Sequence, residues 1–289
     1  MKIPGLGRLA KWYSRKIGTH NFSGFKKNID KLIKGIPADA VSLPVDIVSF
    51  SGSKTLIEQC YSTLSFYYNV GRPQSWTIYS DKSHSQLEID FLQQIPGVQV
   101  KAWDSSLEVR IEALFEFGKF SIWGNRLHAY LNHPIQRTTI FTDSDMLFFP
   151  SFRNFLPVIG SGSWFMPDSY PHLDAYYFKQ FGESQGPFVN AGFLIFNKRP
   201  SWEVAVDYII NRPDRTSWEH FTEQAAIHHM FKTDGHYHLL DENSFILKGS
   251  DSFKFGTDYK SEDIAVRHYV STVRHKMWQM DWRKTLTGL

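Results

Sequence analysis

The chain has 289 residues, 42% hydrophobic, 16% aromatic and 21% charged, with a formal net charge of +3; this is an ordinary globular composition, long enough for one large domain or two smaller ones. Its single cysteine, Cys60, excludes an internal disulfide framework and any multi-cysteine zinc site, which fits a reducing compartment. No uncharged apolar run reaches the ~18 residues of a spanning helix, and no uninterrupted apolar stretch follows the basic start as in a secretory signal.

The first segment in chain order is the basic one. Residues 1–36 hold Lys2, Arg8, Lys11, Arg15, Lys16, Lys26, Lys27, Lys31 and Lys34 against Asp30 alone, so the rest of the chain is net acidic. In GLGRLAKWYSRKI, Leu6, Leu9, Tyr13 and Ile17 recur at helical spacing with cations between them, a basic amphipathic pattern. Two readings stand side by side: a leader lying on an anionic membrane surface, and a helix packed against its own domain. Residues 1–40 are taken as this leader and 41–289 as one main domain.

After Pro44 the pattern changes. VDIVSF (45–50) reads as a buried strand followed by a Ser51-Gly52-Ser53 turn. Residues 54–70 have a helical period that Gly71-Arg72-Pro73 stops, 75–81 form a second strand, 86–95 a helix and 98–103 a third strand. This alternation predicts parallel strand–helix–strand units with right-handed crossovers in an α/β sheet. Residues 107–132 read as mostly helical, TTIFTDSD (138–145) as the fourth strand, and SWFMPD (163–168) and FVNAGFLIFN (188–197) as further strands. Helices are expected over 202–210 and 221–231, then short strands and loops.

Asp143 and Asp145 interrupt an apolar run. Two buried carboxylates without partners cost several kcal/mol. On a strand they share one face while Ser144 takes the other. Side by side at a strand's carboxyl end, where α/β sheets bind ligands, they repel unless a cation sits between them. A hard divalent ion such as Mg²⁺ or Mn²⁺ suits oxygen ligands and bridges to phosphate oxygens. The competing reading is a pair of surface turn carboxylates.

Four stretches in order carry a resemblance: FGKFSIWGNRLHAYLNHPIQRTTIFTDSDMLFF, FVNAGFLIFN, TEQAAIHHMF and HYVSTVRHKMW. Together they resemble the retaining GT-A glycosyltransferases of the glycogenin type (family 8-like) across nearly the whole main domain. The resemblance implies a GT-A α/β domain with a mixed, mostly parallel central sheet flanked by helices. It implies that Asp143, Asp145 and His268 hold Mn²⁺ (or Mg²⁺) against the diphosphate of a nucleotide sugar, UDP-linked. Lys119 would contact the donor, Arg274 or Lys276 the departing diphosphate, and Phe50, Ser51 and Gly52 would line the nucleotide pocket with Ser144 beside the metal. Asn190 and Gln224 would face the transferred sugar, with Glu223 an alternative nucleophile, although neighbours on a helix point about 100° apart.

This chain departs from that pattern at several positions. Ser271 stands where the family has Gly, and Arg274-His275-Lys276-Met277-Trp278 replaces a shorter Lys-Pro-Trp ending. Glu223 replaces an Asp, and the first strand lacks the carboxylate often used for uridine. The expected reaction is sugar transfer, with retention, to a glycan or lipid-linked acceptor by a cytoplasmic enzyme, peripheral on the inner face of the membrane. No nucleic acid is expected as a partner. Two alternatives are a non-catalytic binding or scaffold subunit on the same fold, and a sugar nucleotidyltransferase, of whose Gly-rich phosphate loop SFSGSKT is a poor version. His228, His229, His236 and His238 are read as structural, since adjacent helical histidines diverge.

Overall fold

The computed structural model describes residues 6–102, 121–159, 162–168, 172–182, 186–212, 221–256, 259–270 and 273–287. Helix α1 (Leu6–Lys34) precedes strand β1 (Ser42–Ser51), α2 (Leu56–Asn69), β2 (Arg72–Ser80), α3 (Gln86–Leu92) and β3 (Val98–Ala102). Then come α4 (Ser121–Asn132), β4 (Thr139–Asp143), β5 (Met146–Phe148), α5 (Ser151–Phe155), β6 (Ser163–Asp168) and α6 (Ala175–Phe181). The remaining elements are β7 (Phe188–Phe196), α7 (Trp202–Ile210), α8 (Thr222–Asp234), β8 (Tyr237–Leu239), β9 (Phe245–Ile246), β10 (Val266–His268) and α9 (Trp282–Thr287).

A seven-stranded sheet runs in the order β3-β2-β1-β4-β7-β6-β8. The four strands from β3 to β4 are parallel, and parallel neighbours need crossovers, which α2 and α3 supply for the first three. Strand β7 runs antiparallel between β4 and β6, and β8 is parallel to β6. A second sheet, β5-β10-β9, stands beside it.

Strands covered on both faces read as apolar runs rather than alternations, because both sets of side chains are buried. On β7, Phe193 and Ile195 enter one core while Leu194 and Phe196 enter the other; β1 divides Val45 and Ile47 from Val48 and Phe50 in the same way. The first core joins α1, α2, α9 and the second sheet around Tyr61, Trp76, Phe148 and Trp278. The second joins α4, α6, α7 and α8 around Phe141, Phe165 and Trp202. Each such buried side chain contributes roughly 1.5–3 kcal/mol before ordering costs.

Local signals fix several ends. Ser85 Oγ accepts from Glu88 N at 3.3 Å and Glu88 Oε2 accepts from Ser85 N at 2.8 Å, a reciprocal cap that starts α3. Gly235 closes α8 with φ +67, so that helix runs three residues beyond the expected 231, whereas α3 stops at Leu92, short of 95. The fourth strand also differs from expectation. It ends at Asp143, Ser144 and Asp145 form a turn, and the chain then crosses into the second sheet as β5. The two acids therefore do not alternate along one strand. Of the expected helix over 107–132, α4 is the described part, and Lys119 lies outside the described residues.

α1 is one continuous helix of 29 residues. Phe25, Ile29, Leu32 and Ile33 are buried, and the Phe25 ring centre lies 4.9 Å from that of Tyr61 and 5.4 Å from that of Trp278. Asn21 Nδ2 donates to the carbonyl of Trp278 at 2.9 Å. Packing against its own domain thus accounts for the inward face of this segment. No helix among the described residues is long and apolar enough to cross a membrane.

Candidate active site

The site forms where the two sheets meet. In the β1–β4 register Phe50 pairs with Asp143, so the Phe50-Ser51-Gly52 end of β1 lies alongside the end of β4. In the second sheet His268 pairs with Met146, and Tyr269 N donates to Asp145 O at 2.9 Å. The switch of sheets at Ser144 thereby brings a residue from near the C-terminus against both acids.

His268 Nε2 lies 3.2 Å from Asp145 Oδ1 and 3.6 Å from Asp143 Oδ2. One ligand atom from each of the three residues lies within 4.8 Å of the others. Oxygens and an imidazole nitrogen around one divalent ion sit about 3 Å from one another, so this donor set fits such an ion. The imidazole is held from behind: His268 Nδ1 lies 3.0 Å from Asn190 Oδ1, an acceptor that keeps the Nδ1 proton and leaves Nε2 facing the carboxylates. Asn190 Oδ1 also accepts from Gly192 N at 3.1 Å. A Cβ on Gly192 would overlap His268 Cε1 and stand 2.8 Å from Asp143 Oδ2. Asn-Ala-Gly is therefore a packing requirement of the site: Asn orients the histidine and only glycine leaves it room.

Two arginines answer how the acids are tolerated. Arg274 donates to Asp145 Oδ2 through Nη2 at 2.6 Å and Nε at 3.1 Å. Burial pushes the Asp145 carboxyl up, but His268 and Arg274 outweigh it and hold it down at about 2. Arg126 Nη1 donates to Asp143 Oδ1, while its Nε and Nη2 grip Glu223 Oε1 and Oε2, each at 2.7 Å. Burial opposes the Arg126 charge, yet Asp143 and Glu223 raise its pKa well above the usual value, so it stays protonated.

The other expected residues fall in different places. Glu223 is buried in the fork with Arg126, and Gln224, its neighbour on α8, is half-buried and points elsewhere. Gln224 Oε1 accepts from Ala191 N at 3.3 Å, and its Nε2 donates to His172 O at 2.8 Å, with Asp168 Oδ2 at 3.5 Å. Ser51 Oγ is buried with no hydrogen-bond partner. A Cβ on Gly52 would overlap the Asp81 carboxylate, so a larger residue there requires Asp81 to move. Ser144 is buried in the turn. Lys276 is buried and donates to Gly256 O at 2.9 Å, so it does not join Arg274 at Asp145. Among the described residues, Asp143, Asp145 and His268 are the one group able to hold a metal, and the four histidines at 228–238 do not form another.

Sequence reasoning missed Arg126 and Asp81. The signal for Arg126 was present: a lone cation in the apolar helical run NRLHAYL must find buried acids. Asp81 directly follows β2 and reaches the β1 turn only through strand pairing, which spacing along the chain does not show.

No family model matches the chain, and no curated protein matches its sequence. Its fold is matched by solved structures. The galactosyltransferase LgtC, in complex with donor and acceptor sugar analogues, is 14% identical with a TM-score of 0.55, over 83% of this chain and all of that one. GlyE of Streptococcus pneumoniae TIGR4 is 15% identical with a TM-score of 0.53, over 85% of this chain and 62% of that one. The bifunctional glycosyltransferase WbbM is 15% identical with a TM-score of 0.52, over 81% of this chain and 47% of that one. With its seven-stranded, mostly parallel sheet and flanking helices, the chain has the GT-A glycosyltransferase fold shared by LgtC, WbbM and GlyE.

Proposed function

We propose that this chain is a metal-dependent glycosyltransferase that moves a sugar from a UDP-linked donor to a glycan or lipid-linked acceptor with retention of configuration. One observation carries the reading: Asp143, Asp145 and His268 converge at the carboxyl end of a parallel strand, on a glycosyltransferase fold, with Arg274 alongside. The three residues would hold Mn²⁺ or Mg²⁺, the imidazole favouring Mn²⁺. When bound, the ion supplies Lewis acidity toward the charge that develops on the diphosphate.

The chain's own groups do the rest. Arg274, half exposed beside Asp145, swings to the leaving diphosphate and stabilises it electrostatically. Lys119 is the further cation assigned to the donor, and Arg274 rather than the buried Lys276 is assigned to the departing diphosphate. Phe50, Ser51 and Gly52 line the nucleotide pocket, where the unpaired Ser51 Oγ offers a hydrogen bond. Ser144 holds the turn between the two acids. Asn190 orients His268 toward them. Gln224 faces the reacting sugar, and the acceptor hydroxyl passes its proton to a donor phosphate oxygen. A second LgtC structure is of an active-site variant with Glu in place of Gln, so a glutamine belongs to the active site of that protein. Glu223 fixes Arg126 beside Asp143, which leaves Glu223 no free oxygen for nucleophilic attack. We assign the enzyme to the cytoplasmic face of an anionic membrane, reached through residues 1–36, where a polysaccharide or lipid-linked acceptor is held.

A second reading has an observation of its own. Arg126 and Arg274 already neutralise one oxygen on each acid, as in a binding subunit that has dispensed with the metal. Thermal shift with UDP and UDP-sugars, with and without Mn²⁺, separates the two. The enzyme reading expects stabilisation that requires Mn²⁺ and slow UDP release from a UDP-sugar without acceptor. Stabilisation indifferent to Mn²⁺, with no release, selects the binding subunit.

A further inference from the structure

Arg274 opens a single 3₁₀ turn, Arg274–Lys276. Consecutive backbone hydrogen bonds stiffen the chain from Val273 to Gln279: Lys276 N donates to Val273 O at 2.7 Å, Met277 N to Arg274 O at 3.1 Å and Gln279 N to Lys276 O at 3.0 Å. The Arg274 side chain is 44% exposed, whereas Lys276, Met277 and Trp278 behind it are buried. A guanidinium that leaves Asp145 for a diphosphate must swing on a base that does not move.

That base rests on α1. Ser14, Gly18, Asn21 and Phe25 follow one another at intervals of four, three and four residues, so they form one stripe of the helix. Each meets the 274–280 segment. Ser14 Oγ donates to Gln279 Oε1 at 3.2 Å. A Cβ on Gly18 would stand 3.1 Å from the His275 carbonyl oxygen and 3.4 Å from Trp278 Cβ, so helix and turn are in close contact there. Asn21 Nδ2 lies within donating distance of three consecutive carbonyls, Trp278 O at 2.9 Å, Gln279 O at 3.3 Å and Met280 O at 3.1 Å. Its two N–H groups are shared among them. These carbonyls lie between regular elements, where backbone groups depend on side-chain partners, and one amide of α1 serves all three. The Phe22 and Phe25 ring centres lie 5.0 Å and 5.4 Å from that of Trp278, and Tyr61 of α2 stacks on the same indole at 4.9 Å.

We propose that Asn21 is a positioning residue for Arg274: with Gly18 it fixes the 274–280 segment from behind, so that the guanidinium reaches the leaving diphosphate from a set place. This role rests on the part given to Arg274 in sugar transfer and adds to it a helix remote in sequence. It assigns the inward face of α1 to catalysis, whatever its outer face meets.

Steady-state release of UDP from a UDP-sugar by the full chain, with Mn²⁺ and without acceptor, tests the assignment. Arg274 acts on charge that develops as the bond breaks, so a loosened turn lowers kcat more than it raises KM. Asn21→Ala should lower kcat about tenfold, because a displacement of about 1 Å caused far from the chemistry costs up to about 100-fold. In an Arg274→Gln background, itself lowered about 100-fold, the same substitution should change kcat by less than about twofold. Ile33 is buried about three turns further along α1, so Ile33→Ala should lower the melting temperature and keep kcat. If Asn21→Ala loses the same factor in both backgrounds, or Ile33→Ala loses as much kcat as Asn21→Ala, the positioning role is overturned and the helix serves only the fold. Should Asn21→Ala fail to fold, Gly18→Ala carries the same comparison: it improves helix propensity but presses a methyl on the His275 carbonyl, and should lower kcat only where Arg274 is present. Wild-type release that neither substitution slows overturns the positioning role alone. A wild type that releases no UDP overturns the glycosyltransferase reading and the positioning role with it.

Discussion

The carboxylate centre and the outer face of α1 handle charge in opposite ways. At the junction of the sheets, Asp145 has Arg274 and His268, Asp143 has Arg126, and Glu223 shares that same arginine. On α1, Lys16, Lys27, Lys31 and Lys34 stand exposed. The difference follows from solvation. A buried ion without a partner costs several kcal/mol, so the fold must bring counter-charges to it, whereas an exposed lysine is stabilised by water and left free for something outside the molecule.

The sharpest way to break this comparison is Asp145→Asn. It keeps the shape and removes the charge, so UDP release from a UDP-sugar should fall by about 10³-fold or more, with folding intact by thermal melting. Activity like the wild type would remove the centre from the chemistry.

Next in size is the fork. Arg126→Met leaves Glu223 buried without a counter-charge and should destabilise the fold by about 3–5 kcal/mol in denaturant titration. The double variant Arg126→Met/Glu223→Gln should recover most of that loss. If the double variant is as unstable as the single one, the pair is not the coupled unit described.

A third effect comes from two histidines that burial holds neutral. Burial, helped by Lys101 and opposed by Asp46, pushes His133 down to about 4, and burial, helped by Lys232 and His229, pushes His228 down to about 4. In the unfolded chain both titrate near about 6.5. Between those values the unfolded state binds more protons, so stability should fall as pH drops from about 6.5 to about 4, by at most about 3 kcal/mol per histidine, and then level off. Asp145 stays ionised throughout this window. Replacing His133 or His228 with Gln should flatten the dependence measured by chemical denaturation, and an unaltered slope would reject their burial as its source.

The smallest effect is expected on α1. Lys27→Gln and Lys31→Gln should each shift stability by less than about 0.5 kcal/mol. A larger loss in thermal melting would show that these charges serve the fold rather than a partner.

Much of this was legible along the chain. The β1–α2–β2–α3–β3 run announced itself by period and by the Gly71–Pro73 stop, because those signals act over a few residues. Asp143, Asp145 and His268 were found through motif order, and the structure brings them together. The end of β4 at Asp143 was not legible, since nothing in TTIFTDSDMLFF marks a change of sheet; β10, more than a hundred residues later, pairs with Met146–Phe148 and decides it. Arg126 was overlooked because its partners, Asp143 and Glu223, lie on different elements.

The amino-acid order alone determined the alternating α/β frame, the basic excess of the first segment and the candidacy of Asp143 and Asp145, because periodicity, charge and residue chemistry are properties of the chain itself; His268 entered through motif resemblance. Tertiary structure alone decided that Asn190 turns His268, that Gly192 makes space for it, that two arginines neutralise the acids, and that Phe253 packs against Gly7 of α1. Each of these depends on the distance between residues remote in sequence, and that distance is set by strand pairing and helix packing rather than by any local preference.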